Sequence, residues 1–209
     1  MSVRVIASDA DLVRGAAHLA SACPVWARVL PELGPLPLRR RSDGFGAVMS
    51  AIVSQQISVA AAASISARLA AAGLDRPDSI AAAEDAALRG CGLSGQKVRY
   101  LRALAGAGID FPALRGMPDE EVSARLTALP GIGRWTAEMY LIFALGRADA
   151  FAPDDLALQE AARLMYGLAE RPRGRALAEL ARSWAPWRAV AARGLWAYYH
   201  RAKGREGVT

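Results

Sequence analysis

The fold is decided by Thr127–Gly146, TALPGIGRWTAEMYLIFALG. A helix ends at about Leu129, because Pro130 has no N–H to continue it and biases Leu129 away from helical backbone. Gly131 and Gly133 tolerate positive φ, so the chain can reverse within a few residues. A second helix starts at Gly133. Backbone N–H groups of Gly131, Gly133 and their neighbours then lack helical partners. With the positive end of the helix dipole behind them, they form a site for an anion.

Two helices joined by LPGIG read as a helix-hairpin-helix over about residues 118–145, an element that grips a DNA phosphate without reading its sequence. The expected phosphate contacts are Gly131, Gly133, Arg134 and Thr136. The alternative is a plain turn between two helices. Leu before the turn and Thr-Ala after it make LPGIGRWTA far more specific than a bare Gly-x-Gly.

On both sides of this stretch the chain reads as short helices. Ser8-Asp9 opens one that runs to about Ala22, Pro24 a second, and Asp43 a third, whose face is Phe45, Val48, Met49, Ile52 and Val53. Ser58 caps VAAAASISARLAAAG, Ser94 opens GQKVRYLRALAGAG, and Pro118-Asp119 opens EEVSARLTAL. Helices at 78–83, 84–89, 174–183 and 187–203 complete the pattern. No stretch alternates as a strand would. The expected class is all-α, roughly ten helices. After the hairpin comes AFAPDDLALQ (Ala150–Gln159), with two adjacent acids at a helix start. Taken alone, Asp154 and Asp155 are ordinary N-terminal acids, favourable against the dipole.

Composition supports a packed helical protein. Of 209 residues 53% are hydrophobic and 22% charged, which excludes disorder as the main state. Ala contributes 46 residues and has the best helix propensity. The net charge of +6 admits an anionic partner. However, 24 of the 26 basic residues are Arg, so a GC-rich coding sequence explains the charge equally well. The two cysteines, Cys23 and Cys91, are too few for a zinc knuckle or a four-cysteine iron–sulfur cluster, and they fit a reducing cytoplasm. His18 and His200 do not make a triad or a multi-His metal site; His18 reads as a surface helix residue and His200 as a helix C-terminal residue next to Arg201. No apolar leader segment opens the chain, and no stretch approaches the ~18 apolar residues of a membrane span.

LPGIGRWTA followed by PDD resembles the helix-hairpin-helix, Gly/Pro…Asp superfamily of DNA base-excision glycosylases, and within it most of all the 3-methyladenine DNA glycosylase II family. AIVSQQISVAAAASI (Ala51–Ile65) resembles that family's I-x-x-Q-Q-x-S-x-x-A-A stretch. GLSGQKVRYLRALA (Gly92–Ala105) resembles its G-L-S-x-x-K-x-x-Y-L stretch, and WAPWRAVAARGLWAYY (Trp184–Tyr199) its W-x-P-W-R-x-x-A…W tail. The resemblance runs from about Phe45 to Tyr199. It implies one glycosylase domain over 1–209, made of two helical subdomains with the active-site cleft between them and without the N-terminal α/β domain of longer relatives.

The resemblance also implies roles. The catalytic Asp falls on Asp155. A helix N-terminus suits its carboxylate, which would stand beside the sugar as oxocarbenium character develops and orient a water towards C1′. Asp154 either caps the helix or shapes the pocket. Relatives that also cut the strand carry a nucleophilic Lys where Trp135 stands. The only lysines here are Lys97 and Lys203, so a Schiff-base route at that position is closed and a monofunctional enzyme is expected. Trp135 would offer its face to a cationic base. Trp196 would wall the pocket, or simply pack. Met139 stands where relatives often have an aromatic, which makes this pocket less aromatic. The Gln55-Gln56 pair matches the family's minor-groove probe, with Gln56 as the wedge, unless both amides only cap helix ends. Lys97 contacts the backbone, shapes the cleft or is solvated. No cofactor is expected, the cysteine count excluding an iron–sulfur cluster, while the resemblance implies a monovalent cation at the carbonyls of Thr127, Leu129 and Ile132. The expected partner is damaged double-stranded DNA, met by a cytoplasmic monomer without membrane attachment. The competing functions are removal of deaminated bases (uracil, hypoxanthine) and non-catalytic DNA binding.

Overall fold

Capping and turn chemistry place the helices. The structure, a computed structural model, describes residues 3–204. Among them are thirteen α-helices, one π-helical and one 3-10 segment, and a single isolated β-bridge, Val5 with Arg147. The order is α1 Asp9–Ala22, α2 Pro24–Leu33, α3 Phe45–Ser54, α4 Val59–Ala71, α5 Pro77–Ala82, α6 Asp85–Gly90 and α7 Gly95–Gly106. Then come α8 Phe111–Leu114, α9 Asp119–Thr127, α10 Arg134–Met139, the π segment Tyr140–Leu145, α11 Leu156–Tyr166, α12 Gly174–Leu180, the 3-10 turn Ala181–Trp184 and α13 Arg188–Lys203. The all-α expectation is met. None of the described helices is long and apolar enough to cross a membrane.

The chain divides into two units: one takes in the described residues of Met1–Arg40 and Leu141–Thr209, the other is Arg41–Tyr140. In the first, Trp26 and Phe151 both meet the Trp184 ring edge-on, each with centroids 5.6 Å apart. The helix α13 is buried continuously from Ala189 to Trp196. Its small residues allow that: a Cβ on Gly194 would stand 2.6 Å from the Trp26 ring, and one on Gly15 of α1 would stand 2.5 Å from Val190. The Ala and Gly content therefore serves close helix approach as well as helix propensity.

In the second unit α7 is the hub, packing against α3, α5 and α6. Arg102 of α7 donates to the carbonyls of Ile80, Ala81 and Ala83, closing the C-terminal end of α5, and pairs with Asp85. Ser58 and Ser94 are the N-caps of α4 and α7 as expected, accepting from Ala61 N and Lys97 N.

Three expectations are corrected locally. Helix α3 is preceded by Gly44, at φ +103, and not opened by Asp43, because the Asp43 carboxylate is engaged by Arg115 at 2.6 and 3.0 Å. The four-residue α8 was not expected; Asp110 caps it. The helix from Arg134 does not stay α-helical to Gly146, since Tyr140–Leu145 widens into a π-turn. Buried Arg193 donates to Ile142 O at 3.3 Å, supplying a donor to a carbonyl of this segment.

Candidate active site

Asp155 is the N-cap of α11 and only 5% exposed. Its Oδ1 accepts Leu158 N–H at 2.9 Å and Trp196 Nε1–H at 3.3 Å. Two N–H donors and the positive end of a helix dipole therefore converge on one carboxylate oxygen. The cap is Asp155 itself, so the expectation that Asp154 caps the helix is corrected. Asp154 is exposed, with its Oδ1 turned towards Gly174, where a Cβ would come within 2.6 Å. One residue earlier in the chain it lies outside the reach of the α11 N–H groups.

The carboxylate is held from behind. Trp196 stacks on Phe143 at 5.4 Å and 29°. Phe143 belongs to the π segment, and the Arg193 guanidinium lies over its ring, 5.1 Å from the centroid, in cation–π contact. Arg193 is fixed in turn by Ala189 O at 2.9 Å and Leu38 O at 3.2 Å. Burial, with Arg40 and Arg39 adding repulsion, draws its pKa down to about 10. Trp196 also lines a cavity of about 300 Å³ with Leu33, Pro37 and Arg39.

Gln159 was missed by the sequence reading. It is buried, and its Nε2 donates to Pro153 O at 2.9 Å, fixing the loop that delivers Asp155. The signal was available: Leu158, Ala161, Ala162 and Met165 define the buried face of α11, and a polar Gln sits on it.

The hairpin, the Gln pair and Trp135 belong to the other unit. Between α9 and α10, Ile132 N donates to Leu129 O at 3.2 Å, so this neighbour of the glycines is paired, contrary to expectation. Gly131 has φ +84, and a Cβ there would collide with the Tyr100 ring. Gly133 is the N-cap of α10 at φ −86, so positive φ is used at Gly131 alone. A Cβ on Gly133 would meet nothing within 4 Å, leaving the approach to the α10 N-terminus open. Arg134 is exposed and pairs with buried Glu138 at 2.9 Å; Thr136 and Met139 are half-buried. Trp135 is 40% exposed, unusual for an indole.

Gln55 donates from Nε2 to Gly131 O at 2.7 Å, and Gln56 is exposed in left-handed backbone at φ +58. The alternative that both amides cap helix ends does not hold for Gln55, whose amide reaches the hairpin. Lys97 is half-buried: its Nζ donates to Val53 O at 2.6 Å, and burial lowers its pKa. His18 is also committed, bonded to Ala185 O at 2.9 Å. Among the described residues no group of three or more His, Cys, Asp and Glu could hold a metal ion.

The chain compares closely with known proteins. Residues 49–186 match the model of the HhH-GPD superfamily base excision DNA repair protein family. The alkylbase DNA glycosidase-like protein mag2 of Schizosaccharomyces pombe is 30% identical over 91% of this chain and 95% of its own length. A crystal structure of DNA-3-methyladenine glycosidase from Bacillus halodurans superposes with a TM-score of 0.81 at 31% identity, covering 99% of this chain and 97% of that one. The 3-methyladenine DNA glycosylase Mag1 of S. pombe, in complex with abasic DNA, gives 0.76 at 27% identity over 94% and 100%. With the hairpin, the capped Asp155 and these likenesses together, this chain belongs to the HhH-GPD superfamily of base excision DNA repair proteins.

Proposed function

We propose that this protein is a monofunctional DNA glycosylase that removes alkylated purines, of the 3-methyladenine and 7-methylguanine type, from double-stranded DNA. The observation that carries the reading is Asp155, a buried carboxylate held by Leu158 N–H, Trp196 Nε1–H and the α11 N-terminus. The relatives named above as glycosylases of alkylated bases supply the substrate class.

An alkylated purine carries a positive charge, so the C1′–N bond can break with its electron pair passing to the base and no strong acid is required. Positive charge builds on the sugar as the bond lengthens. A fixed anion stabilises that charge without reorganising during the reaction. Asp155 fills this role because Trp196, Phe143 and Gln159 restrain it. Water then adds to C1′ and loses its proton towards the carboxylate, giving an abasic site and a free base. Trp135, 40% exposed, is the aromatic we assign to the cationic base; a ring face against such a charge is worth about 0.5–2 kcal/mol. The open N-terminus of α10, with Gly131, Gly133, Arg134 and Thr136, takes a DNA phosphate. Gln56 fills the space left by the flipped base.

A monovalent cation would be held by the neutral carbonyls of Thr127, Leu129 and Ile132. The Leu129 carbonyl already accepts Ile132 N–H and keeps a second lone pair, and no carboxylate joins the set, which suits a singly charged ion. Its contribution would be to stiffen the turn and add positive charge near the phosphate. We take the protein to act as a monomer, in the cytoplasm.

The test is incubation with duplexes carrying 3-methyladenine, 7-methylguanine, hypoxanthine or uracil, comparing the wild type with Asp155→Asn. Abasic product from the alkylated duplexes, reduced about 10²–10³-fold or more by the substitution, is expected. No product from any duplex would end the glycosylase reading. Preference for uracil or hypoxanthine would replace the substrate class. A borohydride-trapped covalent complex would refute the monofunctional claim.

A further inference from the structure

The turn between α3 and α4 and the hairpin turn lie in the same unit, and one side chain joins them. Gln55 Nε2 donates to Gly131 O at 2.7 Å across 76 residues of sequence. That carbonyl belongs to the Gly131–Ile132 peptide, whose N–H is bonded to Leu129 O at 3.2 Å. The central peptide of the hairpin is thus held at both ends, and one of the two holds comes from the α3–α4 turn. Helix α7 secures each side separately. Lys97 Nζ bonds Val53 O near the C-terminus of α3, and the Tyr100 ring, on the same face of α7, covers Gly131. Immediately beyond Gln55 the chain is strained and exposed. Gln56 is at φ +58, and two β-branched residues that would normally be covered, Ile57 and Val59, are 37% and 72% exposed.

We propose that Gln55 is a positioning residue for base flipping. Its amide locks the α3–α4 turn to the hairpin, so a phosphate seated on the hairpin sets how far Gln56 and Ile57 reach into the duplex. The two turns would then act as a single rigid gauge. The proposal rests on the glycosylase reading for its purpose, though its test can be read without any excision. Chemistry makes the tie specific. An amide N–H donates to a carbonyl, whereas a carboxylate of the same size presents only lone pairs and is repelled. Without the tie the turn keeps only its indirect hold through α7, Gln56 is freer to relax from left-handed backbone, and the reach of the turn becomes variable.

The experiment uses a duplex in which 2-aminopurine faces a stable tetrahydrofuran abasic analogue, so that insertion of the turn unstacks the fluorophore. Binding to undamaged duplex is followed in parallel by anisotropy, and folding by thermal melting. Gln55→Glu is expected to bind undamaged duplex within about threefold of wild type, while the fluorescence rise at saturation falls about threefold or more. Excision of 3-methyladenine from a normal pair should fall about tenfold or more, as expected for a misplacement of roughly 1 Å. Excision from a lesion opposite an abasic gap, already weakly stacked, should recover to within about threefold. Gln55→Asn, which keeps the donor on a shorter arm, should fall between the two. A full fluorescence rise in Gln55→Glu would overturn the proposal. So would a loss of undamaged-duplex binding in step with the fluorescence, which would make Gln55 merely part of the hairpin. A wild type that excises no base refutes the proposed function, while the fluorescence and anisotropy arms still decide this inference.

Discussion

Replacing Trp196 by Phe isolates the bond between the indole and Asp155. The substitution deletes Nε1–H, which donates to Asp155 Oδ1 at 3.3 Å, and keeps an aromatic ring to stack on Phe143. A hydrogen bond to a charged group contributes about 1.5–3 kcal/mol, and the long distance places this one at the low end. If the carboxylate then loses orientation in the transition state by that amount, single-turnover excision should slow about 10–30-fold. Trp196 is only 4% exposed, so the smaller ring also leaves a void that costs on the order of 1–2 kcal/mol of stability. The two effects separate in measurement. Melting reports the void, and single-turnover rates taken well below the melting temperature report the carboxylate. Substitution of Trp196 by benzothienylalanine, which exchanges N–H for sulfur at nearly constant shape, should reproduce the rate loss without the stability loss. A wild-type single-turnover rate in both variants would refute the view that Trp196 positions Asp155.

Two glycines of one motif should behave oppositely. Gly131→Ala meets both φ +84 and the Tyr100 ring, so it should lower stability by about 1–2 kcal/mol or more, read by denaturant titration. Gly133→Ala has open space and ordinary φ, so it should cost only the roughly 0.5–1 kcal/mol of a poorer N-cap, less than Gly131→Ala, yet bind duplex DNA less tightly in anisotropy, because the methyl would occupy the approach proposed for the phosphate. At α1, Asp11 accepts N–H bonds from Ala7 and Ser8 at 3.0 and 2.9 Å, which lower its pKa below the ordinary 3.8. The folded value is depressed, so this stabilisation is complete above about pH 4–5 and fades as the pH falls through 3.8 and below. Asp11→Asn should therefore flatten the acid limb of a stability-against-pH curve, and an unchanged limb would contradict the assignment.

What could be read from the sequence was local. Ser58 and Ser94 cap helices because a hydroxyl followed by a helical run has one natural use, and LPGIG turns because Pro and Gly leave the chain few alternatives. Asp155 could be singled out by its motif, although its role as N-cap could not be told from that of Asp154. That choice depends on which carboxylate reaches Leu158 N, a matter of one residue in a loop. The π-turn was hidden because YLIFAL is almost uniformly apolar and carries no helical phase. The contacts that organise the site were hidden for another reason. Trp196 meets Asp155 across 41 residues, and Gln55 meets Gly131 across 76. Local pattern gives no information on which distant polar groups will satisfy one another.

The division of the chain bears on how the molecule is made. Arg41–Tyr140 is one continuous run, whereas its companion unit joins Met1–Arg40 to Leu141–Thr209. Ile6 N bonds Gly146 O at 2.7 Å, Ala148 N bonds Arg4 O at 3.0 Å, and α1 packs on α13. On the ribosome, α1 and α2 emerge together and can pack on each other, but the faces they turn to α13 wait while about a hundred residues of the other unit are synthesised. The hairpin and its Gln55 tie are complete at that stage; Asp155 acquires its indole donor only when translation reaches Trp196. Exposure to aggregation during synthesis is thus concentrated in the early helices α1 and α2.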